Sequence, residues 1–245
     1  MVEGAGTAMT SSRIYGGRDP WDVPAYTLPV AARLVQVPAA TLRYWVVGRR
    51  GVGRDGAERL PKPLIHIEAG RFRYLSFTNL VEAHVLASMR RTHEIPMPEV
   101  RRALSWVEGQ IGTKNALAKE KFRTKGKKLF IERMSKLLDA TTGQVVSEDL
   151  DAGFDRIQYE HGLAIRFFPY VRGDEDTDQP KNIEMDPRIA FGRPVVVGTG
   201  VPVDEINQRF KAGDSFEELA DEFGIASSLV EEAIRAAARA SRAAA

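Results

Sequence analysis

The 245-residue chain contains no cysteine. That absence removes disulfides, thiolate metal sites and thiol nucleophiles together. Histidine is scarce too: His66, His84, His93 and His161 are scattered with no carboxylate constellation around them, so nothing predicts a catalytic centre, a metal or a cofactor. No apolar run reaches the length needed to span a bilayer, and the first residues, MVEGAGTAMTSSR, lack the apolar centre of a secretory signal. The expectation is a cytoplasmic, non-enzymatic protein with no membrane contact. Hydrophobic side chains are plentiful at 43%, and the length suffices for two small domains or one large one.

The net charge of +2 conceals a division. Residues 1–140 hold 24 Lys and Arg against 13 Asp and Glu, a balance of +11; residues 141–245 hold 11 against 20, a balance of −9. A basic amino-terminal half suits a phosphate backbone, where each neutralised charge releases counterions. The acidic half would repel the same partner. A set of merely solvated faces would also carry such runs.

From Leu28 to Val46 the chain reads as two short helices around a turn. Leu28, Ala31, Ala32 and Val35 form one apolar stripe, Gln36 and Val37 break it, and Pro38 suits the first turn of a second helix whose Leu42, Trp45 and Val46 share a face. Thr41, Arg43 and Tyr44 are left facing outward, behind the small residues Ala39 and Ala40. Such a face can approach DNA closely and bond to phosphates and base edges. An ordinary pair of packed helices has the same pattern. Arg49, Arg50 and Arg54 follow in a glycine-rich loop. The alternation of Ile65 and Ile67 with His66, a turn over 68–70, and Phe72 between Arg71 and Arg73 then predict a hairpin. Ser76 is placed to cap a helix bearing Phe77, Leu80, Val81, Val85 and Met89, and Pro98 opens another with Val100, Ala103, Leu104 and Val107.

The letters Gly51-Val52-Gly53-Arg54-Asp55-Gly56 match a dinucleotide-binding fingerprint, but no buried strand precedes them and Leu60-Pro61-Lys62-Pro63 follows where a helix is needed. No cofactor is expected there. Residues 112–128 carry seven Lys and Arg around Phe122, either a second nucleic-acid contact or a solvated connection. Short strands are expected around Leu137 and Leu138, flanking a turn at Thr141-Thr142-Gly143. A helical stripe at Leu150, Phe154 and Ile157 and a strand from Leu163 to Tyr170 follow. RGDEDTDQPK (172–181) reads as a linker. Beyond it come a strand and a tight turn at Gly198-Thr199-Gly200, then a helix from Val203. Next is a helix capped by Asp214 or Ser215 and ended by Gly224, and last one capped by Ser227 or Ser228. Glu217, Glu218, Asp221 and Glu222 on the middle helix argue against DNA there.

The predicted fold is thus mainly α with small β elements. A mobile arm (1–25) precedes a winged helix-turn-helix (26–111), a basic connection with a mixed α/β segment (112–171), an acidic linker (172–182) and a three-helix module (183–245).

Leu42-Arg43-Tyr44-Trp45 and Arg73-Tyr74-Leu75-Ser76, with the hairpin and paired helices between and after them, resemble the winged helix of MerR-type regulators. Without cysteine, the metal- and redox-sensing habits of that group have no ligands here. GRPVVVGTGVPVDEI followed by GDSFEELADEFG resembles a small domain of formerly unknown function that recurs in antitoxins. The combination resembles a VapB-type antitoxin, atypical in its length and its folded character. The resemblance implies a homodimer that binds double-stranded operator DNA through Thr41, Arg43, Tyr44, Arg49, Arg50, Arg54, Arg71 and Arg73. It further implies a PIN-domain ribonuclease toxin as partner, whose Mg²⁺-binding carboxylates an arginine could enter. Arg235, Arg239 and Arg242 are placed for that by position, although basic residues also suit a helix C-terminus. The alternative is a stand-alone MerR-like regulator with a protein or small-molecule sensor in the middle segment.

Overall fold

The computed structural model describes residues 14–48, 51–52, 58–59, 63–67, 74–89, 95–138, 140–172 and 179–242. Strand β1 (Tyr26–Thr27) leads into α1 (Leu28–Leu34), where the Thr27 hydroxyl accepts the Val30 N–H at 3.4 Å. Helix α2 (Ala39–Val47) follows a four-residue turn. Strands β2 (Gly51–Val52) and β3 (Glu58–Arg59) pair antiparallel, and β4 (Tyr74–Leu75) returns to pair with β1.

Helix α3 (Phe77–Ser88) is the axis of the fold, with eleven of its twelve residues buried. A helix apolar on nearly every side must be covered on every side. Its start is fixed by a capping box in which Ser76 and Asn79 satisfy each other's backbone N–H groups. Helix α4 (Met97–Ile111) follows with Val100, Ala103, Leu104 and Val107 turned into the same apolar cluster, and the buried turn Ala116–Ala118 lies against α3. A π-helical turn over Phe122–Gly126 then feeds α5 (Lys127–Leu137), which packs antiparallel to α6 (Ala140–Asp155). In the basic stretch 112–128 the apolar residues, Phe122 among them, are buried, and five of the seven cations are exposed.

The strands expected around Leu137 and Leu138 are helical instead. Phe130 and Met134 are buried four residues apart on α5, and Val146, Leu150 and Phe154 form the same stripe on α6. That 3.6-residue period outweighs the local turn signal of Thr141-Thr142-Gly143. Gly143 serves the helix, since a Cβ there would lie 2.0 Å from the Ser135 hydroxyl. Gly153 plays the same part where α6 crosses α3, a Cβ coming 2.4 Å from the Ser88 hydroxyl.

The hairpin expected over 65–73 also differs. Ile65 inward, His66 exposed and Ile67 against the large cluster keep the expected alternation, but 63–67 form no strand; Leu64 and Ile65 both donate their N–H groups to the Trp45 carbonyl, so this segment seals the end of α2. Residues 68–73 lie outside the described residues. The pairing that is seen, β2 with β3, falls in the glycine-rich loop directly after α2.

Strands β5 (Ile157–Glu160) and β6 (Leu163–Phe167) form a hairpin with a register shift at Gln158/Tyr159. Phe167 bonds reciprocally with Met185, which brings in β7 (Ile183–Glu184) and its antiparallel partner β8 (Val195–Val196). The turn after β8 has Gly198 and Gly200 at φ +74° and +73°, as a tight turn requires. Helices α7 (Val203–Ala212), α8 (Phe216–Phe223) and α9 (Ser227–Arg242) complete the chain, with a Ser215/Glu218 capping box and Gly224 as the left-handed C-cap of α8. Among the described residues no helix is long and apolar enough to cross a membrane.

Two apolar clusters result, and they trade members. Met185 belongs to the large cluster, while Val171 joins Ile183, Val196, Ile206, Leu219 and Val230 in the carboxyl-terminal one. Instead of a free linker, residues 179–182 are held: Arg156, 3% exposed, donates to the carbonyls of Phe168, Pro169, Gln179 and Pro180 at 2.6–3.1 Å and lies over the Tyr170 ring. Residues 173–178 lie outside the described residues. The arm is likewise fixed from Ile14 onward. Tyr15 donates to the Pro187 carbonyl at 2.5 Å, the Trp21 indole to the Ile165 carbonyl at 3.3 Å, and Arg188 lies over the Trp21 ring. Ala190, Phe191 and Gly192 take successive left-handed conformations, φ +46°, +55° and +79°, and the Tyr26 hydroxyl donates to the Gly192 carbonyl at 2.8 Å. A Cβ on Gly192 would meet that hydroxyl at 2.3 Å.

Burial pushes the Glu82 carboxyl up to about 8, against hydrogen bonds from Asn115 (2.8 Å) and Asn79 (3.3 Å) that pull it down. A carboxyl raised in the folded state makes stability fall as pH climbs from about 4.5 to about 8. Glu82→Gln is therefore expected to gain on the parent across that interval, by about 2–4 kcal/mol at its upper end, in urea unfolding at several pH values. A pH-independent gap would refute the assignment. Arg156→Lys cannot fill the same four carbonyls and is expected to cost about 2–4 kcal/mol by the same measurement, a loss under about 0.5 kcal/mol being incompatible with the grip described.

Candidate nucleic-acid interface

Helix α2 owes its orientation to its inner face. Leu42, Trp45 and Val46 are all buried to 2% exposure or less against α1, whose Ala31 and Ala32 are buried in turn. This leaves Ala39, Ala40 and Arg43 exposed on the other side, with Thr41 half-buried. A small-residue start and an exposed guanidinium let a helix lie close to a groove. Tyr44 is half-buried, packs against the large apolar cluster and carries the Arg101 guanidinium over its ring at 5.4 Å. It is therefore a support for a neighbouring cation more than a free outward phenol. Arg49, Arg50, Arg54, Arg71 and Arg73 lie outside the described residues. Tyr74, next along, is exposed on β4, and His66 is exposed beside the sealed end of α2.

The turn between α1 and α2 is built on Gln36, at φ +59°. Its side chain is engaged from two directions: the amide donates to the Tyr170 carbonyl at 2.8 Å, and the amide oxygen accepts from Arg239 Nη2 at 2.8 Å. Arg239 thus reaches from α9 to the turn of the helix-turn-helix. Arg235 is exposed and lies 3.7 Å from Glu232, which Arg172 also pairs at 2.8 Å. Arg242 is the last residue of α9. Sequence reasoning missed Gln36, because an amide in a turn carries no signal until its partners are seen. It missed Arg101 as well, which sits between the inward Val100 and Ala103.

The acids of α8 divide by task. Glu218 is held below the usual carboxylate range by the Ser215 backbone N–H and hydroxyl, and Glu222 is held low by a two-bond pairing with Arg209, while Glu217 and Asp221 are exposed. Among the described residues no group of three or more His, Asp or Glu side chains is placed to hold a metal ion.

The architecture defines a helix-turn-helix protein with a small three-helix module at its carboxyl terminus, the two joined through Gln36 and Arg239. Residues 24–104 match a family described as "Putative DNA-binding HTH domain", and residues 183–238 a "Protein of unknown function (DUF433)" family. Over 89% of its length the chain is 31% identical to "Putative antitoxin VapB45" of Mycobacterium tuberculosis, spanning 95% of that protein. The X-ray crystal structure of Rv2018 from the same organism superposes with a TM-score of 0.66 at 27% identity, covering 87% of this chain and 99% of that one. The chain belongs to the VapB45 family of antitoxins.

Gln36→Ala removes both bonds at the turn. Hydrogen exchange of amides in residues 33–37 is expected to quicken by roughly tenfold, as local opening becomes easier by about 1–1.5 kcal/mol. Unchanged exchange would show that the turn does not depend on its two partners.

Proposed function

We propose that the protein is an antitoxin that binds operator DNA as a homodimer through α2 and the basic residues after it, and that its acidic carboxyl-terminal module holds a PIN-domain ribonuclease. The observation that carries the DNA half is the disposition of α2: a fully buried Leu42-Trp45-Val46 face fixes Arg43 outward behind two alanines. The antitoxin relative and the match of residues 24–104 support the same reading. In it, Thr41 and Arg43 touch the groove, Tyr44 backs them, and Arg49, Arg50, Arg54, Arg71 and Arg73 reach the phosphates. For the toxin half, the module presents exposed Glu217, Asp221 and Arg235. Arg239 is committed to Gln36 in the free protein, so its use on a toxin would require α9 to leave α1.

Arg43→Ala is expected to weaken binding to a duplex from upstream of the protein's own reading frame by about tenfold or more, with a shallower salt dependence and unchanged thermal unfolding. Gel-shift titration at two salt concentrations reads this, and equal affinity would remove α2 from the interface. Co-expression with the product of the adjacent reading frame reads the toxin half, which fails if the two do not co-purify.

A further inference from the structure

Beyond α2 lies a cleft of about 600 Å³, bounded by residues 63–66, α4 and α5. Its walls include His66, Arg101, Trp106, Glu108 and Arg133. Two guanidiniums there lie over aromatic rings: Arg101 over Tyr44 at 5.4 Å and Arg133 over Trp106 at 5.7 Å. A cation over a ring is held there without spending its hydrogen-bond donors. Nε and Nη2 of Arg101 and Nε of Arg133 are shielded from solvent without a hydrogen-bond partner, so it is the remaining guanidinium nitrogens that can meet a ligand in the cleft. A guanidinium held with unpaired donors inside a protein carries a cost, and an anion at its open edge offsets the uncompensated charge. To meet one, neither arginine need break an internal hydrogen bond.

The opposing charges are few. Glu108 faces the cleft beside His66, its carboxyl raised by burial, and Glu99 pairs through one oxygen with Arg102. Arginine suits a phosphate because its fork offers several donors at once. Tyr44, the support of Arg101, is on α2, so the cleft lies beside the helix assigned to DNA. Trp106, 38% exposed, supplies apolar surface at its rim.

We propose that Arg101 and Arg133 form a second clamp on the phosphate backbone of a DNA duplex lying along α2, with Trp106 and Tyr44 holding the two guanidiniums in place. This rests on the DNA reading of α2 and extends its footprint to α4 and α5. The contact is to the backbone, so it adds affinity without choosing a sequence.

The test uses the full chain, with Arg101→Gln/Arg133→Gln as the double variant, which keeps the side-chain stems and much of their packing. Two duplexes of equal length are titrated between about 50 and 200 mM salt, one from upstream of the protein's own reading frame and one unrelated. The double variant is expected to lose about tenfold or more on both duplexes alike, and to lower the slope of log affinity against log salt by about 1–2. Circular dichroism and thermal unfolding confirm that it folds. Identical affinities and slopes in parent and variant overturn the clamp while leaving Arg43 to stand or fall by its own variant. Inorganic phosphate that stabilises the parent but not the variant, with DNA binding unaltered, overturns it in favour of a small-anion pocket. A parent that binds neither duplex at the lowest salt overturns the DNA reading itself, and the clamp with it.

Discussion

The grip of Arg156 on four backbone carbonyls is the constraint on which the arrangement of the two halves depends. Its partners come from the exit of β6 (Phe168 and Pro169) and from the approach to β7 (Gln179 and Pro180), so it closes the chain's excursion between them. With that loop closed, Met185 enters the large cluster and Val171 the small one. Arg166 meets Glu184 across the same seam at 2.9 Å. The carboxyl-terminal helices are thereby fixed against α1, close enough for α9 to reach the turn of the helix-turn-helix. A buried arginine is expensive to desolvate, and five donors arranged in a plane are the means by which main-chain oxygens repay it.

Much of the architecture is legible in the residues because it follows from local chemistry. The apolar stripes of α1, α2 and α4, the serine caps of α3 and α8, the left-handed glycine ending α8 and the Gly198-Thr199-Gly200 turn all rest on interactions within a few positions of each other. The helical hairpin α5–α6 is hidden in the sequence because two threonines and a glycine signal a turn, while the features that override them, Gly143 against Ser135 and Phe130 near Phe122, are contacts between separate segments. Arg156 and Gln36 give no signal for a related reason. Most of their partners are backbone carbonyls, which every residue possesses.

The candidate interface shows the same division. Arg43 faces outward as the stripe beneath it requires. Tyr44 has a different role from the one its position suggests, since a cation from α4 already lies on its ring. The charge separation between the halves persists in the folded protein, but part of the acidity is spent internally: Glu184, Asp186 and Glu232 are buried and paired with arginines, and Glu222 is tied to Arg209. Each such pair withdraws an acid and an arginine together, so the negative balance of residues 141–245 stands while fewer acids are free to meet a partner.

Helix α9 is anchored at its far end on the bend that sets the angle between α1 and α2. Thermodynamic reciprocity then binds the two ends of the molecule. A ligand that prefers α9 lifted from Gln36 must weaken one that prefers it seated, and be weakened by it in the same proportion, while a partner indifferent to that seat transmits nothing however tightly it holds.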